Sequence, residues 1–325
     1  MLKRIGISVT FILFLITVMS GLEQIRYTQT SRLAIDTPQV FEVKSGSGIG
    51  RVCEAWKKHQ WVSSCWQFKV YFKLFPLPSG IKKGVYELSN MTVLEAYAKI
   101  ARGAQKQFSF TIVEGETFKQ VLNKMQHSPY LVFDPNKMHA EPSPEGWLMP
   151  ETYHYIAYST ASELFDRAKQ SMETTLDSLW QSRTEGLPLA SKYDALILAS
   201  IIEKETAVNE ERQMVASVFI NRLKIGMRLQ TDPTVIYGLG ERFAGDITRA
   251  HLNEMTPYNT YRINGLPPTP IAMPSKASIY AALQPATSSY YYFVADGSGG
   301  HVFSKTLKEH NQAVRRYLEK SKNAG

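Results

Sequence analysis

Cysteine is nearly absent: the 325 residues contain two, Cys53 and Cys65. Two thiols cannot build the disulfide framework of a small secreted scaffold, and their spacing is not that of a zinc or thioredoxin-like motif. The seven histidines are dispersed without a His-Glu-x-x-His pattern, which argues against a metal centre. Gly-x-Ser-x-Gly and P-loop patterns are also missing, so neither a serine-hydrolase elbow nor a phosphate cradle is expected. The net charge is +8, yet no run of Lys and Arg and no RNA-binding aromatic signature carries it. Nucleic acid is therefore a poor partner, and anionic phospholipid or an acidic wall polymer fits better. No cofactor and no metal are expected.

What is present is ordinary globular material. The chain is 44% hydrophobic, with 17 Tyr and 15 Phe, and is long enough for two domains. Met1-Leu2-Lys3-Arg4 is a short basic head, and Ile5 to Leu22 carries no charge. Such a span is just long enough to cross a bilayer, with the basic flank kept inside and the body exported. The alternative is a cleaved signal peptide ending near Val18-Met19-Ser20; span length and the lack of an Ala-x-Ala site favour a retained anchor. Glu23 to Gln39 is polar, aperiodic and contains Pro38, and reads as a tether.

Residues 40–130 read as a small α+β module. Val40 to Val43 is a strand, Gly46 to Gly50 turns it into a helix through Ala55 to Lys58, and Gly84 to Leu88 is a second strand. Trp66, Phe68, Val70 and Phe72 alternate with polar residues as in a strand, although a short helix fits too. Thr92 to Ala101 is an amphipathic helix stopped by Gly103. Phe108 to Ile112 alternates as a half-exposed strand. Val43, Gly46, Ile49 and Val52 are echoed in spacing by Ile112, Gly115, Phe118 and Val121. The repeated strand–Gly–helix unit resembles LysM-like modules that grip glycan. Cys53 sits in a helix beside Val52 and Trp56, where a buried free thiol is common, so a bridge to Cys65 stays open.

Residues 140–325 read as a mainly helical domain with a C-terminal β-hairpin, which makes the whole chain α+β. Glu145 to Tyr153 is a Gly- and Pro-bounded loop with Trp147 and Tyr153; aromatic faces suit sugar rings, and such loops are also common hydrophobic corners. Ser191 caps a helix that is apolar nearly all round and ends in Glu203-Lys204-Glu205. Two residues along a helix is about 200° of rotation, so the two carboxylates point to opposite sides. Glu203 shares its face with the small Ala199 and Ser200, which leaves room for a ligand. A carboxylic acid in a poorly hydrated place is usable as a general acid near neutral pH. Thr256 to Ser275 carries five prolines (Pro257, Pro267, Pro268, Pro270, Pro274) and is a stiff loop rich in amide and aromatic side chains. Tyr290 to Ala295 and His301 to Phe303 pair over Gly297-Ser298-Gly299-Gly300.

Several stretches together resemble the YceG-like family, the MltG-type endolytic murein transglycosylases. They are Glu145-Gly146-Trp147-Leu148 with Pro150-Glu151-Thr152-Tyr153, Leu198-Ala199-Ser200-Ile201-Ile202-Glu203-Lys204-Glu205-Thr206, and Asn221-Arg222-Leu223. Leu229-Gln230-Thr231-Asp232-Pro233-Thr234-Val235, Tyr258-Asn259-Thr260-Tyr261 and Gly265-Leu266-Pro267-Pro268-Thr269-Pro270-Ile271 complete the set, in collinear order with the end hairpin. Thr269 departs from a Gly of the family pattern.

The resemblance implies an enzyme of the inner membrane with its catalytic domain in the periplasm. It implies cleavage of the β-1,4 bond between N-acetylmuramic acid and N-acetylglucosamine in nascent glycan, leaving 1,6-anhydromuramoyl ends. Its partners would be peptidoglycan strands, with penicillin-binding synthases as candidates. The residue taken to match the family's catalytic glutamate is Glu203. Most glycosidases need two carboxylates; here the substrate's C6 hydroxyl would be the second nucleophile, so one suffices. Asn259 and Tyr261, with Gln230 behind them, are candidates to orient the sugar; loop bracing is the competing role for each. Two rivals are a muramidase using water with Glu151 or Asp232, and a non-catalytic peptidoglycan-binding scaffold.

Overall fold

A computed structural model describes the backbone of residues 2–138 and 143–324, and the side chains of residues 11–138 and 143–320. The side chains of the basic head, and Pro142 before the aromatic loop, lie outside the described residues. The chain divides into two compact units. One comprises Met1–Phe108, Pro129–Leu131 and His154–Ser159; the other comprises Ser109–Ser128, Val132–Tyr153 and Thr160–Gly325.

The first unit opens with helix α1 (Leu2–Thr30). Among the described residues, no helix is long and apolar enough to cross a membrane. The stretch read as a tether is ordered: residues up to Thr30 continue α1, and Leu33 and Ile35 beyond it are buried. Strand β1 (Gln39–Val43) pairs antiparallel with β2 (Gly84–Leu88), Phe41 opposite Tyr86. Helices α2 (Ile49–Lys58), α3 (Trp66–Leu74) and α4 (Val93–Arg102) supply the rest of the core. Trp56 and Phe72 meet Tyr97 at ring separations of 4.7 and 4.8 Å.

Two sequence readings change here. The alternating stretch 66–74 is a helix, not a strand. Phe68 and Phe72, one turn apart, face the core while Trp66 and Val70 face outward. The open question of the cysteines resolves as a disulfide, Cys53–Cys65, with Cα atoms 5.8 Å apart.

Strand β3 (Gln107–Thr111) leads through Gly115 into α5 (Phe118–Gln126), and β3 pairs with β4 (Thr152–Ile156). The internal echo holds in the backbone. Gly46 and Gly115 both sit between strand and helix, at φ of 72° and 76°, where glycine has no steric penalty.

The second unit is mainly helical. Its elements are α6 (Ala161–Gln181), α7 (Lys192–Glu205), α8 (Arg212–Lys224), α9 (Asp232–Leu239), α10 (Arg249–Asn253) and α11 (Lys276–Leu283), then β5 (Tyr292–Ala295), β6 (His301–Ser304) and α12 (Leu307–Ala324). Helix α7 is the centre: it packs against α6, α8, α9 and α11, and every residue from Ala195 to Ile202 is buried. Its all-round apolar sequence fits a helix sheathed by others. Ser191 caps it by accepting the Asp194 N–H. Strands β5 and β6 form an antiparallel hairpin, Phe293 opposite Phe303.

Candidate active site

Helix α7 ends at Glu205, where the chain leaves the core, and this end borders an open cleft of about 710 Å³. Glu203, Glu205 and Arg212 line it, together with residues 111–115 and Pro150, Glu151 and Thr152. The two glutamates diverge around the helix as the 3.6-residue period requires, and their surroundings differ.

Glu203 is saturated with donors. Its Oε2 accepts from the Ser275 backbone N–H at 2.9 Å, the Ser275 hydroxyl at 2.5 Å and the Ser278 hydroxyl at 2.7 Å. Its Oε1 faces Arg212 Nη2 at 3.4 Å, with the Glu203 and Arg212 side chains 6% and 8% exposed. The carboxylate therefore sits at the N-terminus of α11, where backbone N–H groups and helix dipole favour negative charge. Ala199 and Ser200 do not line the cleft. Both are fully buried, and the Ser200 hydroxyl accepts the Ile271 N–H at 3.0 Å and donates to the Ile197 carbonyl.

Glu205 has a poorer set of partners. The Thr231 hydroxyl donates to its Oε1. Burial pushes its carboxyl above the ordinary range; the Thr231 bond opposes this, Asp232 adds to it, and His301 and Arg222 oppose it. A buried carboxyl with a raised pKa beside a cleft has the properties that general-acid chemistry uses.

The other expected residues separate by role. Asn259 is buried and its Nδ2 donates to the carbonyls of His251, Leu252 and Glu254 at 3.1, 3.2 and 2.7 Å. Its Oδ1 accepts the Tyr261 N–H at 3.0 Å, so the side chain ties the proline-rich loop to the end of α10. Tyr261 donates to Asp232 at 2.7 Å, and burial raises its phenol. Gln230 is exposed, at a φ of 49°, and its N–H reaches the Thr260 carbonyl at 3.2 Å. None of the three is among the residues lining this cleft; Tyr261 and Asp232 instead flank the Thr231–Glu205 contact. Glu151 does line the cleft, and accepts from the Ser171 hydroxyl at 3.3 Å.

The aromatic loop is inward-facing. Trp147 stacks with Tyr193 at 6.0 Å, and Tyr153 is buried with its hydroxyl on the Met149 carbonyl. Glu145 is buried as well, accepting from the Phe118 N–H and the Tyr237 hydroxyl, both at 3.0 Å. The Thr269 hydroxyl pairs with Tyr258 at 2.8 Å. Arg212, Ser275 and Ser278 were not singled out as functional from sequence. Ser275 and Ser278 reach Glu203 from 72 and 75 residues away, and nothing in the local sequence ties Arg212 to Glu203.

The YceG-like family model matches residues 41–316. An endolytic murein transglycosylase of Bacillus subtilis is 33% identical over 312 residues, covering 86% of this chain and 85% of its own. A protein of the same name from Streptococcus pneumoniae is 32% identical over 185 residues, covering 55% of this chain and 33% of its own. A solved YceG-like protein of Listeria monocytogenes, 30% identical, superposes with a TM-score of 0.52, covering 85% of this chain and 99% of that one. With a match that runs through both units and includes α7 and its cleft, the chain belongs to the YceG-like family.

Proposed function

We propose that this chain is an endolytic murein transglycosylase. It cuts the β-1,4 bond between N-acetylmuramic acid and N-acetylglucosamine within glycan strands and leaves 1,6-anhydromuramoyl ends, terminating strand growth. The observation that carries the reading is a carboxyl, Glu205, that lines a cleft large enough for sugar rings and whose pKa is raised by burial.

The sequence-based choice of acid was Glu203, and the geometry favours its neighbour. A general acid must release its proton toward substrate, and Glu203 meets donors on both oxygens. Its role is to hold Arg212 and the start of α11 in place. Glu205 in its neutral form gives a proton to the glycosidic oxygen as the C1–O bond breaks. The resulting carboxylate then takes the proton of the C6 hydroxyl as that oxygen closes on C1. No water is consumed, and the Thr231 hydroxyl stabilises the carboxylate between the two steps. Tyr261 and Asp232 position Thr231 and Glu205 rather than the sugar, and Gln230 remains a candidate for glycan contact from its exposed position.

The N-terminal helix is proposed as a single-pass anchor in the inner membrane, with the body in the periplasm. Support comes from the uncharged stretch 5–22 behind Lys3 and Arg4, and from the exposure of Phe11, Ile12, Leu13, Phe14, Ile16 and Met19 on all sides of α1. The first unit is proposed as a LysM-like glycan-gripping arm, on its strand–Gly–helix pattern, with penicillin-binding synthases as candidate neighbours.

A hydrolytic muramidase is the second reading, favoured by the presence of Glu151 in the same cleft. Digestion of un-crosslinked nascent glycan decides. Anhydro ends by mass support the transglycosylase, reducing ends support the muramidase, and uncut glycan supports a scaffold.

A further inference from the structure

A second cavity adjoins the catalytic cleft. It measures about 610 Å³ and shares Glu114, Pro150, Glu151 and Arg212 with it. Met149, Leu179 and Ala281 give it an apolar floor, and Lys276 and Gln213 stand among its polar lining. Arg212 is the link between the two spaces. Its side chain is 8% exposed, Nη2 faces Glu203 and Nη1 donates to Asn209. Its Nε has no hydrogen-bond partner among the described residues. A buried donor left without an acceptor is costly, and Arg212 as a whole borders both spaces, where a guanidinium is suited to a carbonyl or carboxylate oxygen.

The lining charges are of both signs. Arg212 and Lys276 are cationic, Glu114 and Glu151 anionic. A run of neutral sugar rings has no use for four charges. Peptidoglycan, however, carries a peptide on the lactyl ether of each muramic acid, two ring atoms from the reacting C1. That substituent offers amide carbonyls, carboxylates and, in many walls, a side-chain ammonium.

We infer that this second cavity holds the stem peptide of the muramic acid being cleaved. The inference rests on the transglycosylase reading of the adjacent cleft. The Arg212 guanidinium receives a carbonyl or carboxylate oxygen near the lactyl link, Lys276 receives a carboxylate farther along, and Glu114 with Glu151 faces ammonium or amide groups. The enzyme then selects glycan that still carries its peptides and passes over stripped strands.

The test uses the full chain in detergent with two glycan preparations of matched length, one with stems intact and one stripped by an amidase. The intact glycan is expected to be cut with kcat/KM about tenfold higher, the size of one good charge-assisted contact. Lys276 is an exposed residue, so Lys276→Ala should fold normally, which a melting curve checks. This change is expected to bring the intact-to-stripped ratio down severalfold, mainly through KM. Arg212→Lys keeps the charge facing Glu203 but loses the fork, and should lower the same ratio. Equal kcat/KM on the two glycans, or a ratio indifferent to Lys276→Ala, overturns the inference while leaving the transglycosylase reading in place. Failure of the wild type to cut either glycan overturns the reading beneath it.

Discussion

Ser275 binds Glu203 twice, donating to one oxygen from its backbone N–H at 2.9 Å and from its hydroxyl at 2.5 Å. The same hydroxyl accepts the Ser278 N–H at 3.2 Å and so caps α11. The end of α7 and the start of α11 are thereby tied at one atom. Arg212 completes the tie from α8 at 3.4 Å.

Glu203 should therefore be a stability residue. Removing one partner of a buried ion pair costs about 3–5 kcal/mol, because the other charge is left unpaired. Glu203→Ala is expected to lower the melting temperature sharply, with Glu203→Gln intermediate. Ser275→Ala should cost about 1 kcal/mol as a lost cap. Thermal melts of the three variants check the order; a Glu203→Ala protein that melts with the wild type contradicts the assigned tie.

Glu145 should make stability fall as pH rises. Burial raises its carboxyl from 4.5 to about 7, against the opposing pull of the Phe118 N–H and the Tyr237 hydroxyl. Its folded-state pKa is the higher one, so the neutral acid's contribution is full below about pH 4.5 and is lost as pH passes about 7. The loss is on the order of 3 kcal/mol. Melting temperature measured from pH 5 to pH 8 is expected to drop in the wild type and to flatten in Glu145→Gln. Equal slopes in both would remove Glu145 as the cause.

The Cys53–Cys65 bridge closes a short loop at a sequence separation of 12. In the chain-entropy account such a loop contributes about 3 kcal/mol. Replacing both cysteines with serine, or adding reductant, should lower the melting of the first unit and leave cutting by the second unit's cleft largely intact. Unchanged melting on reduction speaks against a stabilising bridge.

Asn259 should matter to the loop rather than to the sugar. Its amide holds three backbone carbonyls, and leaving them unpaired costs about 1–3 kcal/mol. Limited proteolysis of Asn259→Ala is expected to cut between residues 251 and 264 faster than in the wild type. Protection equal to the wild type would return Asn259 to the list of sugar-contacting candidates.

The helices were legible where local chemistry decides them. Ser191 and Thr92 accept the N3 amides of α7 and α4, and Gly103 closes α4 at a φ of 76°. Local pattern failed where partners come from afar. Trp66 to Phe72 fits two periods at once, and only the core on one side selects the helix. The Cys53–Cys65 pairing depends on where α2 and α3 are held, which spacing alone does not encode. The helical phase correctly separated Glu203 from Glu205. It could not say which is the acid, because the donors that saturate Glu203 come from Ser275 and Ser278, 72 and 75 residues away. Small neighbours at Ala199 and Ser200 suggested an opening, and α11 with Ile271 fills it.

The most direct measurement is the rate of anhydro-end formation on nascent glycan by Glu205→Gln, set beside Glu203→Gln at matched folded fraction. The account requires Glu205→Gln to melt like the wild type yet lose cutting by about a hundredfold or more, the scale of a missing general acid, while folded Glu203→Gln retains measurable activity. Normal cutting by Glu205→Gln, with activity abolished in a folded Glu203→Gln protein, would contradict it and return the proton to Glu203.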